Sequence, residues 1–254
     1  MELQENLEYF KDNHIQPCAI SYDPVSTLCE FAKRHDIQVP LLADTDSSVI
    51  RQFGILNSLV PEDHRWYGIP FPGTFMVDSA GKVSDKSFYA DHQIRDSVPR
   101  MLTNSFSVDD VVGLTHEIET EDLSAKASLT SPSIRRGQVQ TFTLDIQIRE
   151  GRHLYGRPLP DGYIPTSLTF ENIEDVNLSQ VTYPAPKSQF LPALKETIPV
   201  YEGSITLKSV VQNRRREDFT IRAKLEYQAC DDQTCYLPTE LNFEIPVTYL
   251  ENAK

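Results

Sequence analysis

The sequence predicts a chain of two domains, an α/β domain followed by an all-β antiparallel sandwich, and three observations carry that reading. Its 254 residues, 39% of them hydrophobic, suffice for two separate cores, since an ordinary domain takes about 100–200 residues. Over the first hundred residues helical and strand patterns alternate. From about Gln138 the apolar period changes to two, the spacing of side chains on one face of a strand.

The elements of the first half can be justified in order. Leu3, Leu7 and Phe10 share one helical face, and the run "CAISY" from Cys18 to Tyr22 reads as a short strand. Asp23 and Pro24 supply an N-cap and first-turn signal for a second helix, whose buried stripe is expected to be Val25, Leu28, Cys29 and Ala32. A third helix presents Val49, Ile50 and Phe53 and should end at Gly54 in a left-handed cap. In "PGTFMVDSAGKV", Thr74 to Asp78 read as a strand and Ser79 to Gly81 as a tight hairpin turn. One more helix is expected from about Ile94 to Leu102. This order implies a mixed sheet covered by helices.

In the second half, Phe142, Leu144, Ile146 and Ile148 alternate with polar residues. The same happens at Phe219, Ile221, Ala223, Leu225 and Tyr227, and again at Leu241, Phe243, Ile245, Val247 and Tyr249. Such strands build an antiparallel sandwich. Between the halves, "TNSFSVDDVVGLTHEIETEDLSAKA" has no strong period and holds the boundary. The expected division is 1–104, a linker at 105–122, and 123–254.

Charge and composition narrow the function. With 24 Lys plus Arg against 37 Asp plus Glu the net charge is -13, which argues against a general affinity for nucleic acid or an anionic membrane. Proteins or small molecules are the expected partners. No apolar run approaches the roughly 18 residues that span a bilayer, and "MELQENLEYF" carries acids where a signal peptide carries bases. Neither a Gly-rich phosphate loop, a zinc-protease helix motif nor a nucleophile elbow occurs, so no cofactor and no metal are expected. The histidines His92 and His153 lack spaced partners, and Arg214 to Arg216 read as a solvated strand connection.

The chemistry lies with "EYQACDDQTCYLP", Glu226 to Pro238, where Cys230 and Cys235 sit in a loop between two strongly alternating strands. Such a pair can be a structural staple, half a zinc site, or a dithiol that opens and closes. As a staple it is weak, because bridging few residues constrains the unfolded chain little. Zinc needs further His or Cys ligands that are not nearby. A short, loop-borne disulfide is also readily reduced. The adjacent carboxylates of Asp231 and Asp232 are expected either to disfavour a thiolate, raising the cysteine pKa values, or merely to solvate a turn. Cys18, in a strand run, and Cys29, on the buried stripe, read as small core hydrophobes.

The runs "LEYQACDDQTCYLPTELNFEIPV", "GRHLYGRPLPDGYIPTSLTFE", "VTYPAPK" and "PVYEGSITL" resemble the N-terminal, immunoglobulin-like domain of the bacterial thiol:disulfide interchange protein DsbD, over about Thr130 to Val247. The resemblance implies that Cys230 and Cys235 are a redox pair exchanging electrons with thioredoxin-like or other redox proteins. It also implies an aromatic cap over the pair, for which Phe190 in "PKSQFLPALKE" is the positional match; the alternative is that Phe190 is an ordinary core aromatic.

The runs "ELQENLEYFKDNHIQPCAISYDPVSTLCEFAKRHDIQVPLLADTDSSVIRQFGI" and "GIPFPGTFMVDSAGKV" resemble a peroxiredoxin of the alkyl hydroperoxide reductase/thiol-specific antioxidant type, a thioredoxin-fold family, over about Glu2 to Leu102. The resemblance gives Pro72 the place of a proline that faces the active site just before the strand "TFMVD", either as a cis proline or as a plain trans turn proline. In that family the reactive cysteine lies at the start of the helix that "ELQENLEYF" continues, preceded by two strands. The expectation is therefore an incomplete α/β thioredoxin-like domain, without its active-site cysteine, followed by an all-β immunoglobulin-like sandwich. The favoured function is thiol–disulfide exchange. Its competitors are a binding module whose disulfide never turns over, and peroxide reduction if a preceding segment supplies the cysteine. A bacterial periplasm is the favoured compartment if the true start lies upstream, and cytoplasm the alternative.

Overall fold

The computed structural model describes residues 2–106, 113–191, 195–231 and 233–251. The chain divides into two compact units, one ending at Asp109 and the other spanning Asp110–Asn252.

In the first unit the order is α1 (Glu2–Glu5), α2 (Leu7–Asp12), β1 (Ala19–Ser21), α3 (Val25–Arg34), β2 (Leu41–Ala43), α4 (Ser48–Gln52), β3 (Gly73–Val77), β4 (Val83–Phe88), β5 (Arg95–Asp96) and α5 (Val98–Phe106). β1 and β2 run parallel, as a strand–helix–strand crossover requires. β3 and β4 form an antiparallel hairpin. Its turn is closed by Asp78, whose carboxylate accepts the Ala80 and Lys82 amides, and by Gly81 at φ 78°. Helix α4 begins beside the buried Asp44, whose two carboxylate oxygens accept the amides of Val49 and Ile50 at 3.1 and 2.8 Å. It ends before Gly54 at φ 68°. The last helix starts at Val98 rather than near Ile94, because Arg95–Asp96 pair as a strand.

The expected buried stripe of α3 is not buried. Val25 is 64% exposed and Cys29 is exposed, with only Leu28 and Ala32 partly covered. Cys18 is exposed as well. The reason is what lies next to them. The β1–β2 sheet is two strands wide, and Ile20 and Leu42 on it are themselves 42% and 48% exposed.

The second unit runs β6 (Thr115–Glu119), β7 (Leu123–Leu129), β8 (Ser133–Arg135), β9 (Gln138–Ile148), β10 (His153–Tyr155), β11 (Ser167–Phe170), β12 (Val176–Leu178), β13 (Lys187–Leu191), β14 (Glu196–Tyr201), β15 (Ser204–Asn213), β16 (Phe219–Tyr227), β17 (Ala229–Cys230) and β18 (Thr239–Leu250). One sheet has the order β12-β15-β9-β7-β6, a second β11-β16-β18-β8, and a third β13-β14-β10-β17.

Register explains why the alternating runs fold as they do. Along β16 and β18 the pairs Phe219↔Val247, Ile221↔Ile245, Ala223↔Phe243 and Leu225↔Leu241 sit directly opposite, all buried. The residues between them face solvent, where Arg222 meets Glu244 at 2.9 Å and Lys224 meets Glu240 at 2.9 Å. A one-residue slip would exchange these faces, so the hydrophobic pattern fixes the register. The inward residues of β16 and β18 join those of β7, β9 and β15, among them Leu144, Ile146 and Leu207, in one core. Each fully buried large side chain there contributes about 1.5–3 kcal/mol. This core holds the strand ends from which the cysteine loop leaves.

Candidate active site

β16 ends at Tyr227, and the chain then moves to the third sheet. β17 pairs antiparallel with β10, setting Ala229 opposite Leu154 and Cys230 opposite His153. After Cys230 the chain turns back at once. The Asp231 amide donates to the Thr234 carbonyl at 2.9 Å and the Tyr236 amide to the Ala229 carbonyl at 2.9 Å, and the backbones of Cys230 and Cys235 pair as one antiparallel β-bridge. Both cysteines are free thiols; Cys230 is fully buried and Cys235 is exposed.

Between them stands Tyr155, the last residue of β10. The Cys230 thiol donates to the Tyr155 hydroxyl at 2.9 Å, and the same hydroxyl lies 3.0 Å from the Cys235 sulfur. A hydroxyl has one proton and two lone pairs, so Tyr155 can bond both sulfurs at once. Tyr155 is completely buried, packs with Ile198, Val200 and Cys230, and meets the edge of Tyr163 at 5.3 Å.

Burial, and after it the hydrogen-bonded Cys235 sulfur, pushes the Cys230 thiol up to about 12, while the Tyr155 hydroxyl partly opposes the rise. At neutral pH Cys230 is therefore a neutral thiol. Asp231 is not among the causes of the raised value: its carboxylate is taken up by Arg152, Tyr236 and the turn amides. Asp232 lies outside the described residues. The Asp231 carboxyl is held well below the usual range, first by the Tyr236 hydroxyl and then by the amides of Gln233 and Thr234.

That carboxylate belongs to a second cluster. Asp231 Oδ1 accepts the Gln233 and Thr234 amides at 2.9 and 2.8 Å, and Oδ2 accepts the Tyr236 hydroxyl at 2.6 Å. Arg152, in the β9–β10 connection, donates from Nη1 to Asp231 Oδ2 and to the Tyr236 oxygen, each at 2.7 Å. Its guanidinium lies over the Tyr236 ring at 4.2 Å, and its Nε meets Asp122 at 3.2 Å.

Not every residue singled out in the sequence comes to this place. Phe190 is 59% exposed, which removes the core-aromatic alternative, and it lies on β13 at the edge of the third sheet opposite β17. Two strands intervene, so the backbones of β13 and β17 are about 14 Å apart at ordinary strand spacing. The aromatic touching the sulfurs is Tyr155. Pro72 precedes β3 in a trans peptide; the cis bond among the described residues is Arg157–Pro158. His153 is buried in β10, and His92 is exposed in the first unit. Among the described residues no group of three or more His, Cys, Asp or Glu gathers as a metal site. No helix among them is long and apolar enough to cross a membrane.

Tyr155, Arg152, Tyr236 and Asp122 were not singled out by sequence. Tyr155 and Arg152 lie in the run "GRHLYG", but their partners in the cysteine turn are 75 to 84 residues away, and no local period marks them.

Comparison with known families decides the assignment. Residues 120–246, half of the chain, match the family described as thiol:disulfide interchange protein DsbD, N-terminal. The chain belongs to the DsbD N-terminal family. Residues 1–86 match the AhpC/TSA family, so the first unit is thioredoxin-like. A curated relative named as a peroxiredoxin, bcp of Buchnera aphidicola subsp. Schizaphis graminum, is 28% identical over 87 residues, which are 34% of this chain and 54% of the relative. The chain thus spans about half the length of that relative.

Among solved structures, the N-terminal periplasmic domain of ScsB from Proteus mirabilis is 10% identical, with 54% of this chain and 52% of that one covered and a TM-score of 0.39. The reduced Neisseria meningitidis DsbD N-terminal domain is 16% identical, with 42% and 77% covered and a TM-score of 0.32. Scores this low add nothing to the assignment, which rests on the family match. DsbD N-terminal and AhpC/TSA kinship together place the chain, in general terms, among proteins of thiol–disulfide redox chemistry.

Proposed function

We propose that the chain exchanges electrons with protein partners through a Cys230/Cys235 dithiol carried on an immunoglobulin-like sandwich. The observation that carries this reading is the Tyr155 hydroxyl within hydrogen-bond distance of both sulfurs, one buried and one exposed. A pair kept only as a staple would need no such group between its sulfurs.

The exchange proceeds through the exposed sulfur. A thiolate of a reduced, thioredoxin-like partner attacks Cys235 Sγ of the Cys230–Cys235 disulfide. The S–S bond breaks, a mixed disulfide forms at Cys235, and Cys230 leaves and takes up a proton. The partner's second thiol then attacks its own sulfur in the mixed disulfide, forming the partner's disulfide and releasing Cys235 as a thiol. Two electrons and two protons pass to the chain, and the reverse sequence reduces an oxidised protein. The Tyr155 hydroxyl beside Cys230 is placed to donate a hydrogen bond to the leaving sulfur, which takes its proton from solvent. Burial favours the neutral thiol over the thiolate. The reduced pair is consequently slow toward small oxidants and depends on a docked partner.

A titration of the full chain against glutathione mixtures tests this. The Cys230/Cys235 pair is expected to change state at a potential well above the roughly -300 mV below which structural disulfides sit. A pair that stays oxidised throughout would leave a stapled loop.

A further inference from the structure

Arg152 stands outside the exchange steps just described, yet it is bonded to both ends of the turn that carries them. Asp231 directly follows Cys230 and Tyr236 directly follows Cys235. Arg152 Nη1 reaches both, and Tyr236 donates to Asp231, so the three side chains close a triangle across the base of the turn. On the other side Arg152 Nε meets Asp122, the residue before β7 of the large sheet. The side chains of Arg152, Asp122 and Asp231 are only 24%, 17% and 28% exposed. A planar guanidinium that binds a carboxylate while stacked on an aromatic ring is held in a fixed pose.

We propose that Arg152 is a positioning residue that sets the redox potential of the Cys230/Cys235 pair by holding the 230–236 turn closed. The proposal rests on the thiol–disulfide reading above. Its physical basis is the effective concentration of one thiol at the other, which rises when their geometry is fixed in advance. In the disulfide the S–S bond itself holds the turn. In the dithiol only non-covalent contacts do. Removing the clamp therefore frees the dithiol more than the disulfide and shifts the equilibrium toward the dithiol.

The test measures one reaction. Glutathione disulfide accepts two electrons from the Cys230/Cys235 dithiol; its S–S bond breaks to give two glutathione thiols, and the Cys230–Cys235 bond forms. The full chain is equilibrated across glutathione ratios and alkylated. Peptide mass spectrometry then reads the Cys230/Cys235 pair separately from Cys18 and Cys29. Arg152→Ala should move the equilibrium about tenfold toward the dithiol, which is about 30 mV less negative for a two-electron couple. Arg152→Lys, which keeps the charge without the planar fork, should fall between it and the wild type.

Far-UV circular dichroism confirms that each variant is folded. Should Arg152→Ala not fold, Tyr236→Phe keeps the ring and removes the hydroxyl, and it should shift the equilibrium in the same direction by less. A folded Arg152→Ala chain with the wild-type equilibrium overturns the proposal, as does a wild-type value for Tyr236→Phe where that variant has to stand in. A wild-type pair that never exchanges at any ratio defeats the functional reading itself, a result distinct from a working pair that ignores Arg152.

Discussion

The hydroxyl of Tyr155 lies 2.9 Å from the Cys230 sulfur inside a fully buried cluster, and by donating to the sulfur once its proton is lost it partly opposes the burial-driven rise in the Cys230 pKa, as the Tyr236 amide does. Tyr155→Phe keeps the ring and its packing but removes that contact, so the Cys230 pKa should rise further. The step in which Cys230 expels a small aromatic thiol from a mixed disulfide at Cys235 should slow by about tenfold, since hydrogen bonds to charged groups are worth about 1.5–3 kcal/mol. Stopped-flow release of the coloured thiol reads this. A wild-type rate would mean that the hydroxyl is a spectator.

The same burial makes a prediction about pH. The Cys230 thiol ordinarily titrates at 9.0 and in the folded chain at about 12. Above the ordinary value the unfolded chain has lost this proton while the folded chain keeps it, so stability falls as pH rises. The contribution is complete below about pH 9 and is lost between there and about pH 12. Urea unfolding in reductant, compared between wild type and Cys230→Ala, should show the two stabilities converging across that window. Parallel curves would contradict the assignment.

The first unit should not turn over peroxide by itself. Cys18 precedes β1 and Cys29 lies in the middle of α3. Neither has the helix N-terminus that lowers a thiol pKa and creates a reactive thiolate. Peroxide consumption by the full chain is expected at the background rate of free thiols. Catalytic consumption that disappears in Cys18→Ser or Cys29→Ser would refute this.

The two units should also differ in stability. The core that unites β7, β9, β15, β16 and β18 lies wholly within the second unit, whereas in the first unit Val25, Ile20 and Leu42 stay largely exposed. Residues 110–252 expressed alone should fold with a β-rich circular dichroism spectrum, and the full chain should unfold in two steps in urea, the second unit last. One coincident transition for both would count against this.

The parts of the fold legible in the sequence were those whose burial pattern is their own. Phe219 to Tyr227 and Leu241 to Tyr249 alternate cleanly because each has a core on one side and water on the other. β10 gave no such signal, since His153, Leu154 and Tyr155 are all buried and three residues cannot show a period. The α3 stripe misled for the opposite reason. A helical spacing tells which residues share a face, but not whether anything covers it. In the site, the cysteines were visible from their local motif. A raised Cys230 pKa was expected from nearby acids, whereas its first cause is burial, a property of packing between β10 and β17. The Arg152 clamp depends on contacts 79 and 84 residues apart, beyond the reach of any local pattern.

The central claim is that Cys235 is the sulfur through which partners react while Cys230 completes the exchange. Trapping measures this most directly. The full chain carrying Cys230→Ala, and separately Cys235→Ala, is incubated with a thioredoxin-like protein that keeps only its exposed cysteine, activated as a disulfide with a small aromatic thiol, and the mixed disulfides are identified by mass spectrometry. Cys230→Ala should accumulate a covalent complex through Cys235 as the aromatic thiol leaves, because neither protein keeps a second thiol at the site to release it, and Cys235→Ala should trap far less, its remaining thiol being buried and neutral. Equal trapping by both variants, or none by either, would contradict the account.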